Sequence, residues 1–221
     1  MSAIRVPVIE KIFSANDRMA RLNYDRLQKD RVFSVNLMAS PGAGKTSFIL
    51  QTINRIKGVH RVGVIEGDTA PVTIDADKII QAGMPAVQIN TGGDCHLDAS
   101  MVSDGLDQLP LNELDLLIIE NVGNLICPAA WDLGTDVKLL VASVPEGDDK
   151  PYKYPNIYRG LDVLVINKTD LAPYVRVDLP RMVREANEVR KGKPVLLTNC
   201  ATGEGVDAIV ETIAREVLFD R

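Results

Sequence analysis

The 221-residue sequence has three cysteines, two histidines and one tryptophan. Three thiols without tight spacing exclude a secreted scaffold held by disulfides, so each needs its own account. Long apolar runs are missing too. Runs such as Leu116 to Glu120 and Val195 to Thr198 fall far short of the ~20 residues of a membrane helix, so no membrane role is expected. The start, MSAIRVPVIEKIF, has no cationic stretch leading into an apolar one. No signal peptide is expected, and a cytoplasmic location follows. Positive charge is not in excess: 25 Lys and Arg face 30 Asp and Glu, a net -5. That field does not favour nucleic acid. Repeats, low-complexity tracts and linkers are absent. A 46% hydrophobic, 25% charged composition is that of a globular chain. The length suits one domain over 1–221, with an amphipathic helix within 1–30.

That first helix is expected over 7–30 as an appendage, with Ile9, Ile12, Phe13, Ala20 and Leu27 near one stripe. Beyond it, strands are expected at Val32–Met38, Arg61–Ile65, Ala86–Ile89, Leu114–Ile119, Val137–Ala142, Leu161–Ile166 and Pro194–Thr198. Helices are expected over 45–57, 72–82, 96–108, 178–190 and 205–218. Several strands are apolar on both faces, as parallel strands between two helical layers are. The fold class is therefore α/β, a doubly wound, mostly parallel sheet. Such sheets bind ligands at the carboxyl ends of their strands.

The first of those ends carries Ala39-Ser40-Pro41-Gly42-Ala43-Gly44-Lys45-Thr46 and then Ser47, between a strand and a helix. This is the context of a phosphate loop. Gly42, Ala43 and Gly44 turn backbone N–H groups toward phosphate oxygens. Lys45 reaches the outer phosphates, and Thr46 offers a hydroxyl to Mg²⁺. The motif's usual first glycine is Ala39 here.

A later strand ends in Asn167-Lys168-Thr169-Asp170, the arrangement of guanine readers. Asp170 can accept from guanine N1–H and N2–H₂ together, a pattern adenine lacks. Asn167 ties the loops, and Lys168 lays its stem along the base. Asn199 and Cys200 sit where a backbone N–H meets guanine O6. Between these lies Glu120-Asn121-Val122-Gly123, with glutamate where an Asp-x-x-Gly is usual. Glu120 is expected on Mg²⁺ and the Gly123 N–H on the γ-phosphate. Asp68 and Asp75 are further carboxylates, either able to orient the attacking water, with Asp68 also a candidate for Mg²⁺. No catalytic glutamine or arginine finger is visible. Since an arginine finger is worth roughly 10³ to 10⁵ in rate, slow intrinsic GTP hydrolysis is expected.

Cys95 and His96 follow one strand and Cys127 follows the next strand in sequence, within TGGDCHLD and NLICP. Thiolates and imidazole suit Zn²⁺, Ni²⁺ or Cu⁺. A closed structural zinc site takes four ligands. Three leave a position open, or a second chain completes the shell. Asp94 and Asp98 are weaker ligands or supports for His96.

These stretches, ASPGAGKT, EGDTAPVTIDAD, NTGGDCHLDASMV, LLIIENVGNLICPAAWDLG, VPEGDDKPYKYP and NKTD, resemble the HypB family, GTPases that help insert nickel into [NiFe]-hydrogenase. The resemblance is close to full length. The urease-accessory relatives carry a Cys-Pro-His motif that is absent here. The resemblance implies a P-loop GTPase of the dimerising signal-recognition and metal-chaperone class, binding GTP or GDP with Mg²⁺. It implies that Cys95, His96 and Cys127 hold Zn²⁺ or Ni²⁺ at the interface of a homodimer. It implies a HypA-type nickel-binding accessory protein as partner and a [NiFe]-hydrogenase large-subunit precursor as destination. GTP hydrolysis and dimerisation would then be coupled to nickel delivery. A contrasting reading is a metal-binding or storage module whose nucleotide site only sets oligomeric state.

Overall fold

A computed structural model describes residues 7–69, 73–191, 193 and 195–219, with side chains from 14 to 213 within those limits. Seven strands form one sheet: β1 (Phe33–Ala39), β2 (Val62–Asp68), β3 (Ala86–Asn90), β4 (Leu116–Glu120), β5 (Val137–Ser143), β6 (Val163–Asn167) and β7 (Val195–Leu197). Their spatial order is β3-β2-β4-β1-β5-β6-β7, and every pairing is parallel. The helices are α1 (Pro7–Asp30), α2 (Lys45–Ile56), α3 (Ile74–Gln81), α4 (Ala99–Leu106), α5 (Lys150–Lys153), α6 (Pro155–Arg159), α7 (Leu179–Arg190) and α8 (Val206–Phe219).

All five residues of β4 are buried, which a parallel strand needs helices on both faces to achieve. Leu116 and Ile118 join Val35, Leu37 and the α2 residues Phe48, Ile49 and Ile53 on one face. Leu117 and Ile119 join Leu27 of α1 with Val102 and Leu106 of α4 on the other. A third cluster places Met182 and Tyr158 against Leu140, Leu164 and Ile166. The loops after β1, β3, β4 and β6 thus share the carboxyl edge.

Several boundaries differ from the sequence expectation, each for a local reason. The helix expected from 96 begins at Ala99, because Asp98 caps it by accepting from the Met101 N–H at 2.8 Å. Cys95 and His96 consequently lie in loop, and Asp98 serves the cap instead of His96. The strand expected to end at Ile65 runs on to Asp68 and pairs Glu66 with Glu120. Two short helices, α5 and α6, occupy a stretch where none was expected, each started by proline near its first turn.

The largest correction concerns α1. It is not an appendage: Leu27 is fully buried, Ala20 nearly so, and Asn16 and Asn23 are buried as well. The helix lies along α4 and closes one face of the sheet. The expected stripe positions Ile9, Ile12 and Phe13, like Pro194 of the last strand, lie outside the described side chains.

Candidate nucleotide and metal sites

The phosphate loop leaves β1 at Ala39, which pairs with Val141 and has no positive φ. Alanine in place of the usual glycine therefore meets no backbone obstacle. Gly42 and Gly44 have φ of 73° and 104°. A Cβ on Gly44 would stand 2.5 Å from Asn167 Nδ2, so glycine is required for the two loops to meet. The first turn of α2 opens on this loop with Lys45, Thr46 and exposed Ser47, and its unpaired N–H groups favour an anion. Gly123 packs against Pro41 of the loop.

Beneath α2 lie two buried carboxyl groups. Lys45 Nζ is 3.9 Å from Glu120 Oε1, and the Thr46 hydroxyl donates to the same oxygen at 3.4 Å. Glu66 is Glu120's register partner on the neighbouring strand, so both side chains project to one face. Glu66 Oε2 and Glu120 Oε2 are buried with no hydrogen-bond partner among the described residues. Burial pushes the Glu120 carboxyl up to about 7, with Lys45 opposing and Glu66 adding to the rise. Burial likewise pushes Glu66 up to about 7, helped by Asp75 and Asp68 and opposed by the Ala76 N–H and Lys45. Hard oxygen donors left unsatisfied beside a threonine hydroxyl fit Mg²⁺. Asp68 ends β2 and accepts from the Thr69 N–H at 2.6 Å. Asp75 sits in the first turn of α3, paired with Lys78 at 2.6 Å.

Glu66 escaped the motif reading. Its signal was a glutamate at a core position of the alternation Val62, Val64, Glu66.

These carboxyl groups give a pH prediction. Their folded values near 7 exceed the ordinary 4.5, so the folded chain retains protons that the unfolded chain releases. Their contribution is fully present below about 4.5 and is lost as pH rises through about 7, by at most about 3 kcal/mol per group. Without metal or nucleotide, the thermal midpoint should fall between about pH 5 and pH 8. Glu66→Gln should flatten that fall. A wild-type midpoint that holds level across this range contradicts the assignment.

The guanine-reading candidates also converge. Asn167 donates from Nδ2 to the Ala43 carbonyl at 2.9 Å, and its Oδ1 accepts from the Cys200 N–H at 2.9 Å. Lys168, at φ 62°, donates to the Gly42 carbonyl at 2.6 Å. Asp170 is exposed at the start of the following turn. Asn199 folds its own loop, accepting from the Ala201 N–H at 3.0 Å. The Cys200 thiol is buried, and burial pushes its pKa up. Its N–H meets a base only as a donor shared with Asn167.

The soft donors form a second cluster on the same edge. One ligand atom each from Cys95, His96 and Cys127 lie within 4.8 Å of one another. Cys95 Sγ is 2.7 Å from Cys127 Sγ and 3.9 Å from His96 Nδ1, and both cysteines are free thiols. The hydrogen bond shared with Cys95, which favours the protonated Cys127 thiol, and then burial raise the Cys127 pKa. A divalent cation between the sulfurs would displace those protons. Asn124 joins the loops: it donates to the Cys95 carbonyl at 3.3 Å and accepts from the Ile126 N–H at 2.8 Å. The Trp131 ring stacks on His96, centroids 4.6 Å apart.

The family described as CobW/HypB/UreG, nucleotide-binding domain, matches residues 34–197. The hydrogenase maturation factor HypB of Escherichia coli K12 is 42% identical over 207 residues, covering 94% of this chain and 70% of that protein. The chain belongs to the HypB family. The crystal structure of HypB from Archaeoglobus fulgidus aligns with a TM-score of 0.87 at 36% identity, over 92% of this chain and 99% of that one. HypB from Helicobacter pylori, crystallised in complex with nickel, aligns at 0.86 and 33% identity over 92% and 95%. Among its described residues the chain has no helix long and apolar enough to cross a membrane.

Proposed function

We propose that this chain is a GTP-hydrolysing metallochaperone that delivers nickel during [NiFe]-hydrogenase maturation. Lys45, Thr46 and the first turn of α2 hold the phosphates, with Gly42, Ala43, Gly44 and Ser47 around them. Asn167, Lys168 and Asp170 read guanine, with Asn199 and Cys200 closing the base loop. Mg²⁺, held by Thr46 and Glu120 with Asp68 nearby, would neutralise charge on the phosphates. The Gly123 N–H senses the γ-phosphate, and Asp68 or Asp75 orients water. Cys95, His96 and Cys127 hold Ni²⁺ as cargo, or Zn²⁺ in its place. A homodimer, a HypA-type nickel-binding accessory protein and a hydrogenase large-subunit precursor complete the reading. Family membership supports it, because the HypB relatives are hydrogenase maturation factors.

One observation carries the coupling. The segment from Glu120 to Cys127 runs from the buried carboxyl under the phosphate loop to a metal-cluster thiol, with Gly123 and Asn124 between. A shift of Gly123 toward a γ-phosphate displaces Asn124 and hence the separation of Cys95 from Cys127. Coupling of this kind is reciprocal.

The test is a nickel titration of the whole chain with GDP and with a non-hydrolysable GTP analogue. A several-fold difference in affinity is expected, with GTP turnover below about one per second. Equal affinity in both states, with negligible turnover, would favour the storage reading.

A further inference from the structure

Both loops that carry the metal cluster are held by the same helix. Asn16 of α1 accepts from the Ala99 N–H at 2.9 Å and donates to the Asp132 carbonyl at 2.8 Å. Seven residues on, Asn23 donates to the Ala99 carbonyl at 2.8 Å and to the Leu133 carbonyl at 3.3 Å. Asn16 is 7% exposed and Asn23 2%. Spacing of seven puts both on one helix face, which Ala20 and Leu27 complete. Ala99 is three residues beyond His96; Asp132 directly follows the Trp131 that stacks on it. Each asparagine therefore spans the two loops.

The approach is close enough to demand particular residues. At Gly134, φ 80°, an added Cβ would overlap the Ala20 carbonyl. On its other side the cluster is held by a fully buried residue, Asn121, which accepts from the Leu97 N–H at 3.1 Å. The segment bearing His96 is thus gripped at Leu97 and Ala99. Free rotation of the loops about their strand ends is removed before any metal arrives, which is what preorganises a donor set.

We propose that Asn16 and Asn23 of the N-terminal helix are positioning residues of the metal cluster, setting the separation of the Cys95–His96 loop from the Cys127–Trp131 loop. They touch no metal. They act through backbone groups, as an outer layer that orients ligands does, where loss typically costs 10–100-fold in affinity. This inference rests on the metal-binding reading of Cys95, His96 and Cys127.

The experiment uses the whole chain and Ni²⁺ alone as probe, followed by thiolate-to-nickel charge-transfer absorbance. GTP and GDP affinities are measured on the same samples. For Asn16→Ala and Asn23→Ala, nickel affinity should fall about 10-fold or more with an altered charge-transfer band, while nucleotide affinities stay level. Asn16→Gln keeps donor and acceptor but lengthens the reach by one methylene. It serves if the alanine variants fail to fold, and should still show a shifted band and weakened nickel binding. Wild-type nickel affinity and spectrum in the folded variants would overturn the proposal, as would parallel losses of nickel and nucleotide binding. If the wild-type chain itself takes up no nickel, the metal reading falls and this inference with it. If the wild-type chain binds nickel and the variants match it, the clamp alone is refuted.

Discussion

Replacing Cys95 with alanine should lower nickel affinity by more than about 100-fold, since even the outer partners of metal ligands are worth 10–100-fold. Cys95 is the exposed member of the cluster and lies within reach of both other donors. Its removal leaves one thiol and one imidazole, too few to outcompete water for a divalent ion. The variant should fold normally, because the hydrogen bonds at Leu97 and Ala99 do not involve its side chain. It should bind GDP as wild type does. The measurement is a nickel titration with thermal denaturation alongside. Unchanged affinity would place the nickel elsewhere. A loss accompanied by a collapsed thermal midpoint would make Cys95 a structural thiol.

The second large effect is expected at the base loop. Asp170→Asn should weaken GTP by ~10³-fold and strengthen xanthosine triphosphate. Two hydrogen bonds to a charged acceptor are worth about 1.5–3 kcal/mol each. Their sum corresponds to roughly 10²- to 10⁴-fold in affinity. An asparagine amide donates where the carboxylate accepted, and xanthine offers a carbonyl oxygen at that position. Asp170 is exposed and free to meet a base, while neighbouring Asn167 and Lys168 are anchored on Ala43 and Gly42. Competition binding with guanine, xanthine and adenine triphosphates decides the matter. If GTP binds the variant as tightly as wild type, guanine is read by another group.

The sheet and its functional edge were legible in the sequence because both have short-range signatures. Strands such as Leu116–Glu120 are apolar on both faces, and the phosphate loop and the proposed guanine-reading loop are contiguous runs at strand ends. What escaped depends on partners distant in the chain. Asn16 and Asn23 were not singled out in the helix pattern, yet with Ala20 and Leu27 they form a stripe. The weak signal was asparagine on the apolar face, where a buried amide needs partners. Glu66 is similar: only its pairing with Glu120 shows that it stands under the phosphate loop. The start of α4 was misplaced because the periodicity of its apolar residues extends back over His96, whereas the Asp98 cap sets the boundary.

If the cluster carries nickel as proposed, the exposure of Cys95 would also govern how fast that cargo leaves. A buried four-ligand cage leaves an incoming ligand little room to reach its ion. Three donors at a surface let an incoming ligand bind before any bond breaks. Handover would then proceed by associative exchange, with a rate that climbs with the concentration of the acceptor. An ion bound tightly at equilibrium can in this way still be passed on quickly, and the acceptor's own donors set the pace.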